Sequence, residues 1–297
     1  MQHSRQFYID GRWVDPATPR DLPVIDPSTE EICATISIGD QADTDAAVAA
    51  ARAAFEAWAA TPIPERIAAL ERLLAAYTAR AEDMAQAISA EMGAPIDWSR
   101  QQQVPSGDWH FEGFIAAAKE MDWDRPLGPQ SPGERIFHEP IGVVALITPW
   151  NWPMNQIALK VAPALLAGCT MVLKPSEVAP LSGLVFAEIV DEAGLPPGVF
   201  NMVNGDVPGV GSQLSSHPDV DMVSFTGSTR AGRLISIAAA DTIKRVSLEL
   251  GGKGANIIFA DADEKAVKRG AIRCFGNSGQ SCNAPTRMLV QRARYDE

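Results

Sequence analysis

The sequence predicts an α/β protein: a doubly wound parallel sheet, followed by the start of a second α/β unit. Three observations predict it. Beyond Gly142 five short apolar runs, VVALI, MVLK, GVFNMV, DMVSF and IKRVSLEL, are separated by helical stretches near 153–167, 180–194, 207–216 and 228–240. Strands of nearly continuous apolar character belong to sheets covered on both faces, and right-handed crossovers then place helices on each side. The length of 297 residues suits about two domains at roughly 150 residues each.

The first forty residues read as extended pieces joined by turns. Asp10-Gly11 in FYIDGRWV predicts a tight hairpin, because both residues tolerate positive φ. A second extended piece, VIDPSTEEICATISIGD, follows it. From Asp43, read as the N-cap, apolar residues recur three and four apart, so DTDAAVAAARAAFEAWAA is an amphipathic helix. A break at Pro62 and Pro64 opens a second helix running through Tyr77. A third reaches Gly93, a suitable C-cap, and a further one runs to about Glu120. Residues 121–140, with four prolines and two glycines, read as a loop and an extended arm. The second unit opens near Gly254 with strand ANIIFAD and helix DEKAVKRGAIRCFG.

Charge and composition narrow the function. Twenty-five basic residues against 37 acidic give a net charge of −12, which repels phosphate backbones and anionic lipids and argues against nucleic-acid or membrane partners. The longest apolar stretch, Ile141 to Ile147, falls far short of the roughly 18 residues of a membrane span. MQHSRQFYIDGR lacks the apolar centre of a signal peptide, which predicts a cytoplasmic protein. Four cysteines without CxxC and four histidines without HxxxH offer no metal-ligand spacing, so no metal is expected and the thiols are read as free.

Five motifs carry chemistry, each against a plainer alternative. FTGSTRAG (Phe225 to Gly232) runs a strand into a helix N-terminus, a geometry that aims N–H groups and the Ser228 hydroxyl at an anion; a capped strand–helix turn is the alternative. LKPSE places Lys174 and Glu177 at a strand's carboxyl end. There both can bond ribose hydroxyls, and the carboxylate opposes a 2′-phosphate; a surface charge pair is the alternative. In TPWNWP the Asn151 amide can donate to an oxyanion or hold its own loop as an Asx-turn. In LELGGKGAN, Glu249 sits inside an apolar strand end as a candidate general base, or as a salt-bridged residue beside a glycine hinge. In CFGNSGQSCNAPTR, Cys282 follows a Gly-Gln-Ser turn and is the reachable thiol, whereas Cys33, Cys169 and Cys274 read as buried packing residues.

In this order, from FYIDGRWV and PSTEE through TPWNWP, KPSE, FTGST and LELGGK to GQSC, the motifs resemble the NAD(P)-dependent aldehyde dehydrogenases. The resemblance covers the whole chain. It implies a Rossmann-like NAD-binding domain from 1–120 and 142–251, an oligomerisation arm at 121–141 and the start of a catalytic domain at 252–297. It implies Cys282 as nucleophile, Asn151 with the Cys282 N–H as oxyanion donors, Glu249 as the base that activates water, and Lys160 close by. Lys174 and Glu177 would hold the adenosine ribose, and Ser228 and Gly227 the pyrophosphate. Further cofactor contacts are implied for Thr148, Pro149, Trp150, Ser176, Gly205, Gly209, Phe225, Thr226, Leu250 and Gly251. The expected cofactor is NAD, with NADP as the alternative, and the expected substrate a small-molecule aldehyde oxidised to its acid. A homodimer or homotetramer is expected of the full-length form.

Members of that family continue well past the nucleophile, whereas this sequence ends at ARYDE. The expectation is a truncated chain with apolar surface left uncovered, and the alternative function is a catalytically inactive NAD-binding fragment.

Overall fold

Asp10 and Gly11 both take left-handed backbone angles, φ 53° and 68°, the pair that a two-residue type I′ turn requires. They join β1 (Phe7–Ile9) to β2 (Arg12–Val14) in antiparallel register, Phe7 opposite Val14. A Cβ on Gly11 would also press on the Pro197 ring at 3.2 Å. This is the computed structural model of the chain, and it describes residues 2–206 and 209–296.

A second hairpin, β3 (Asp21–Asp26) and β4 (Glu31–Ser37), precedes the helices α1 (Gln41–Ala60), α2 (Ile63–Ala79) and α3 (Ala81–Met92). Gly93 closes α3 at φ 72°, the left-handed C-cap expected of it. The cap of α1 differs from expectation. Asp40 is the N-cap and Asp43 is the third helical residue. Asp40 accepts from the Asp43 N–H at 3.3 Å, and Asp43 accepts in return from the Asp40 N–H at 3.0 Å, a reciprocal capping box. Two aspartates three apart suit both positions, and the outer one takes the cap.

The short helix α4 (Ile96–Trp98) runs through a π-helical turn, Ser99–Gln103, into α5 (Val104–Glu120). After the exposed hairpin of β5 (Asp124–Pro126) and β6 (Arg135–Phe137) comes strand–helix alternation. Its elements are β7 (Val143–Ile147), α6 (Pro153–Ala167), β8 (Thr170–Lys174), α7 (Leu181–Glu192) and β9 (Phe200–Met202). It continues through α8 (Gly209–Ser216), β10 (Met222–Gly227), α9 (Thr229–Ala240) and β11 (Arg245–Leu250). The helix expected at 207–216 is thus seen from Gly209 onward, and residues 207 and 208 lie outside the described ones.

The sheet order is β11-β10-β7-β8-β9-β1-β2, and the first five strands are parallel. Strands β7, β8 and β9 are buried along their whole length. Alternate residues of β7 feed two cores. Val144 and Leu146 join the one shared with Leu165 and Phe186, while Val143, Ala145 and Ile147 join Ala47, Leu214 and Ile235. Two-sided burial of this kind is what continuous apolar runs imply. Chain order reverses between β7 and β10, and a doubly wound sheet opens its ligand crevice at the carboxyl ends beside such a reversal.

The last elements, β12 (Ala255–Ile258), α10 (Ala266–Phe275) and β13 (Arg287–Val290), form a separate parallel pair with one crossover helix. Ile257, Phe259, Ile272, Phe275 and Leu289 are exposed on this unit, in line with the expected apolar surface. No described helix is long and apolar enough to cross a membrane, and no described cluster of side chains could hold a metal ion.

Candidate active site

At the carboxyl end of β7 the chain passes through Thr148-Pro149-Trp150-Asn151-Trp152 before Pro153 opens α6. Proline at the first helical position lacks only an N–H that would be unpaired there. The loop is tied to the segment carrying Cys282. Asn151 Nδ2 donates to the Gln280 carbonyl at 2.8 Å, and Trp152 Nε1 donates to Ser281 Oγ at 2.7 Å. The Asn151 side chain therefore bonds 129 residues away, not within its own turn. Of its two amide hydrogens, one is engaged by this bond.

The segment before Cys282 is bent by three successive left-handed residues: Asn277 at φ 54°, Ser278 at 56° and Gly279 at 72°. Two of the three carry side chains, a costly conformation that needs support from its surroundings. Buried Asn277 supplies it. Its Nδ2 donates to the Asn151 carbonyl at 3.0 Å and the Gln280 carbonyl at 3.2 Å, while Gln103 Nε2 donates to Asn277 Oδ1 at 2.9 Å. Gln103, fully buried, ends the π-helical turn.

A cavity of about 610 Å³ occupies the crevice between β7 and β10. From the β7 end, Pro149, Trp150 and Asn151 line it. From β10 and the turn after it come Thr226, Gly227 and Ser228, from the end of β11 and the residue after it Glu249, Leu250 and Gly251, and Cys282 completes the lining. Gln156, Leu159 and Gly252 line it too, positions that sequence reasoning did not single out. Both Cys282 and Glu249 are exposed to solvent. For Glu249 this corrects the expectation of an apolar enclosure: β11 is an edge strand with alternating exposure, and Glu249 lies on its open face.

Lys160 lies behind the cavity wall, buried in α6, with Nζ donating to Ser224 Oγ at 3.0 Å. Burial pushes its ammonium down to about 8, and the Glu249 carboxylate opposes that fall.

A smaller slot of about 150 Å³ lies between α8 and α9 and is walled by Ile147, Phe225, Leu234 and Ile235, with Lys174 at its edge. Lys174 is itself buried and pairs with Glu177 at 2.8 Å. Neither cavity is lined by Thr148, Ser176, Glu177, Gly205 or Gly209. Thr148 instead bonds the Lys174 carbonyl through its N–H at 3.2 Å, and Ser176 Oγ accepts from the Val178 N–H at 3.3 Å. A Cβ on Gly205 would meet Val210 at 2.5 Å, so that glycine serves packing.

These features fit a dinucleotide. Ser228 caps α9 by accepting from the Ala231 N–H at 3.2 Å, leaving other first-turn N–H groups to meet an anion. Thr226 Oγ1 is buried against the cavity with no partner. A Cβ on Gly227 would lie 2.5 Å from the Phe225 ring, which walls the slot.

The four cysteines are free. Cys169 is buried as expected, but Cys33 is exposed and Cys274 only half-buried. Cys33 lies in the exposed first three residues of β4, ahead of the part of the hairpin that joins the core through Ile36.

Comparison with known proteins agrees with this geometry. The model of the aldehyde dehydrogenase family matches residues 13–297. A 3-succinoylsemialdehyde-pyridine dehydrogenase from a Pseudomonas species is 54% identical over 299 residues, covering 100% of this chain and 62% of the relative. The crystal structure of an aldehyde dehydrogenase from Bartonella henselae superposes with a TM-score of 0.97 at 60% identity, over 99% of this chain and 62% of that one. An aldehyde dehydrogenase C mutant from Pseudomonas syringae, solved with NAD+ and octanal, gives 0.96 at 51% identity, over 99% and 60%. The chain thus spans about three-fifths of the length of the relatives it matches. Within that span, the chain belongs to the aldehyde dehydrogenase family.

Proposed function

We propose that this chain oxidises an aldehyde to a carboxylic acid with NAD, through covalent catalysis on Cys282. The observation that carries the reading is that Cys282, Asn151 and Glu249 border one cavity with the anion-receiving turn of α9. The Cys282 thiolate adds to the carbonyl carbon; a C–S bond forms and the π pair moves to oxygen. That oxyanion accepts from the free Asn151 amide hydrogen and from the Cys282 N–H. NAD, when bound, would accept the hydride that leaves the adduct carbon as the oxyanion pair re-forms the C=O bond, which leaves a thioester on Cys282. Glu249 then takes a proton from water, whose oxygen attacks the thioester carbon, and the C–S bond breaks to return the thiolate. Lys160, held on Ser224, balances the Glu249 charge from inside the wall.

For the cofactor, Lys174 and Glu177 would meet the adenosine ribose, with the slot beside them taking the adenine. Ser228 and Gly227 would meet the pyrophosphate. The Glu177 carboxylate favours NAD over NADP by repelling a 2′-phosphate. The semialdehyde in the name of the Pseudomonas relative and the octanal bound in the Pseudomonas syringae structure support an aldehyde as substrate. The 121–141 arm is assigned to pairing between copies in a dimer or tetramer, and a reducing cytoplasm keeps Cys282 a free thiol.

Purified chain mixed with NAD and an aldehyde panel tests the reading through NADH absorbance. Turnover lost in Cys282→Ser is expected. A second reading, NAD binding without turnover, is favoured by the solvent exposure of Cys282 and Glu249, since water-excluded sites catalyse best. Binding without NADH formation by any aldehyde would establish it instead.

A further inference from the structure

Cys282 borders a second cavity, of about 380 Å³, on the side away from Glu249. Its walls come from the first two turns of α5, the π-helical turn before it and the start of α6. Two indoles, Trp109 and Trp152, and the Pro105 ring supply the apolar part; the amides of Gln101, Gln102, Asn155 and Gln156 supply the polar part. None of the ten described residues lining it is Lys, Arg, His, Asp or Glu.

The surroundings keep this neutrality. His110 stacks against Trp109 and bonds through Nε2 to Asn155 Nδ2 at 3.0 Å, so it backs two of the lining residues. Burial lowers its pKa from the usual 6.5, against the pull of the Asn155 hydrogen bond, and so favours the neutral imidazole. Trp109 is 71% exposed, a large aromatic left open at this cavity. Gln156 is 92% buried and borders both cavities, yet its Oε1 has no partner. An amide in that state calls for a polar ligand atom or water at the junction.

We propose that this second cavity receives the substituent of the aldehyde and selects an uncharged aryl group, excluding aldehydes that carry a carboxylate. The assignment rests on Cys282 being the attacking thiol. A carboxylate entering there would lose water with no cation to meet it. A flat ring gains contact with indole faces and edges that a flexible alkyl chain matches less well. A volume of about 380 Å³ holds one ring with a short chain. The net charge of −12 acts against an anion in the same sense.

The test reads alkylation of Cys282 by mass spectrometry without cofactor, so it does not depend on turnover. Three iodoacetamides carry one warhead: N-benzyl, N-(4-carboxybenzyl) and N-hexyl. In each the thiolate displaces iodide, a C–S bond replacing C–I, and each rate is divided by that of free N-acetylcysteine. The N-benzyl reagent should exceed the carboxybenzyl one by ~10-fold or more and the hexyl one by ~3-fold. Trp109→Ala should bring benzyl and hexyl level while the carboxylate stays disfavoured. Gln102→Lys, at an exposed position, should raise the carboxybenzyl rate about tenfold. Equal normalised rates for the three reagents, or a preference for the carboxylate, would overturn the proposal. Missing NADH formation would count against the dehydrogenase reading alone.

Discussion

Gln103 Nε2 donates a 2.9 Å hydrogen bond to Asn277 Oδ1, joining residues 174 apart in sequence, and both side chains are buried. Through Asn277 this bond reaches the Asn151 carbonyl and the Gln280 carbonyl, so one amide network ties the β7 loop to the thiol-bearing bend. An amide placed between two backbone segments fixes their separation, and fixed separation is what an oxyanion donor and a nucleophile need.

Removing either amide should loosen this bend. Gln103→Ala leaves Asn277 Oδ1 buried without a donor, at a cost of ~1–3 kcal/mol. Asn277→Ala removes both carbonyl contacts as well. Each variant should lower kcat about tenfold or more with a smaller effect on the Kd for NAD, and each should lower the unfolding midpoint. Steady-state kinetics, cofactor titration and thermal melts check this.

Gly227 should tolerate no side chain. A Cβ there meets the Phe225 ring at 2.5 Å, and moving that ring narrows the slot it walls. Gly227→Ala should therefore raise the Kd for NAD ~10-fold or more. Calorimetric titration reads it directly.

Glu91 should make stability fall as pH rises. It is fully buried in α3 and accepts the backbone N–H groups of Leu181 and Ser182 at the start of α7. Burial pushes its carboxyl up from 4.5 to about 7, and the Leu181 and Ser182 N–H groups pull it partly back. The folded value lies above the unfolded one, so its stabilising contribution is complete below about 4.5 and is lost as pH rises through about 7. Calorimetry should show the wild type losing on the order of 2 kcal/mol between about pH 5 and pH 8. Glu91→Gln, which cannot ionise, should flatten that slope.

The parts of this architecture legible in sequence were those set by local chemistry. Asp10-Gly11 demanded its turn, the continuous apolar character of VVALI and MVLK demanded a two-sided sheet, and Gly93 ended its helix. TPWNWP, FTGST, LELGG and GQSC met in one crevice because each except the last ends a strand at the same edge of the sheet. What was not legible depended on partners far away in the chain. Gln103 is one of three consecutive glutamines, and nothing local marks it as the one turned inward. Glu249 reads as enclosed until β11 is seen to be an edge strand, and Cys33 reads as buried until β4 is seen to begin with three exposed residues. The second cavity beside Cys282 joins residues near 101–109 to residues near 152–156 and 282, a meeting made only by the packing of α5 on α6.

The most direct test of the central claim is the mass of the Cys282 peptide after Glu249→Gln is mixed with NAD and an aldehyde. With water activation removed, the thioester should accumulate: an acyl group on Cys282, formed only when NAD is present and matched by one equivalent of NADH. No acyl group on Cys282, or an equal one on Cys33 or Cys274, would contradict the account.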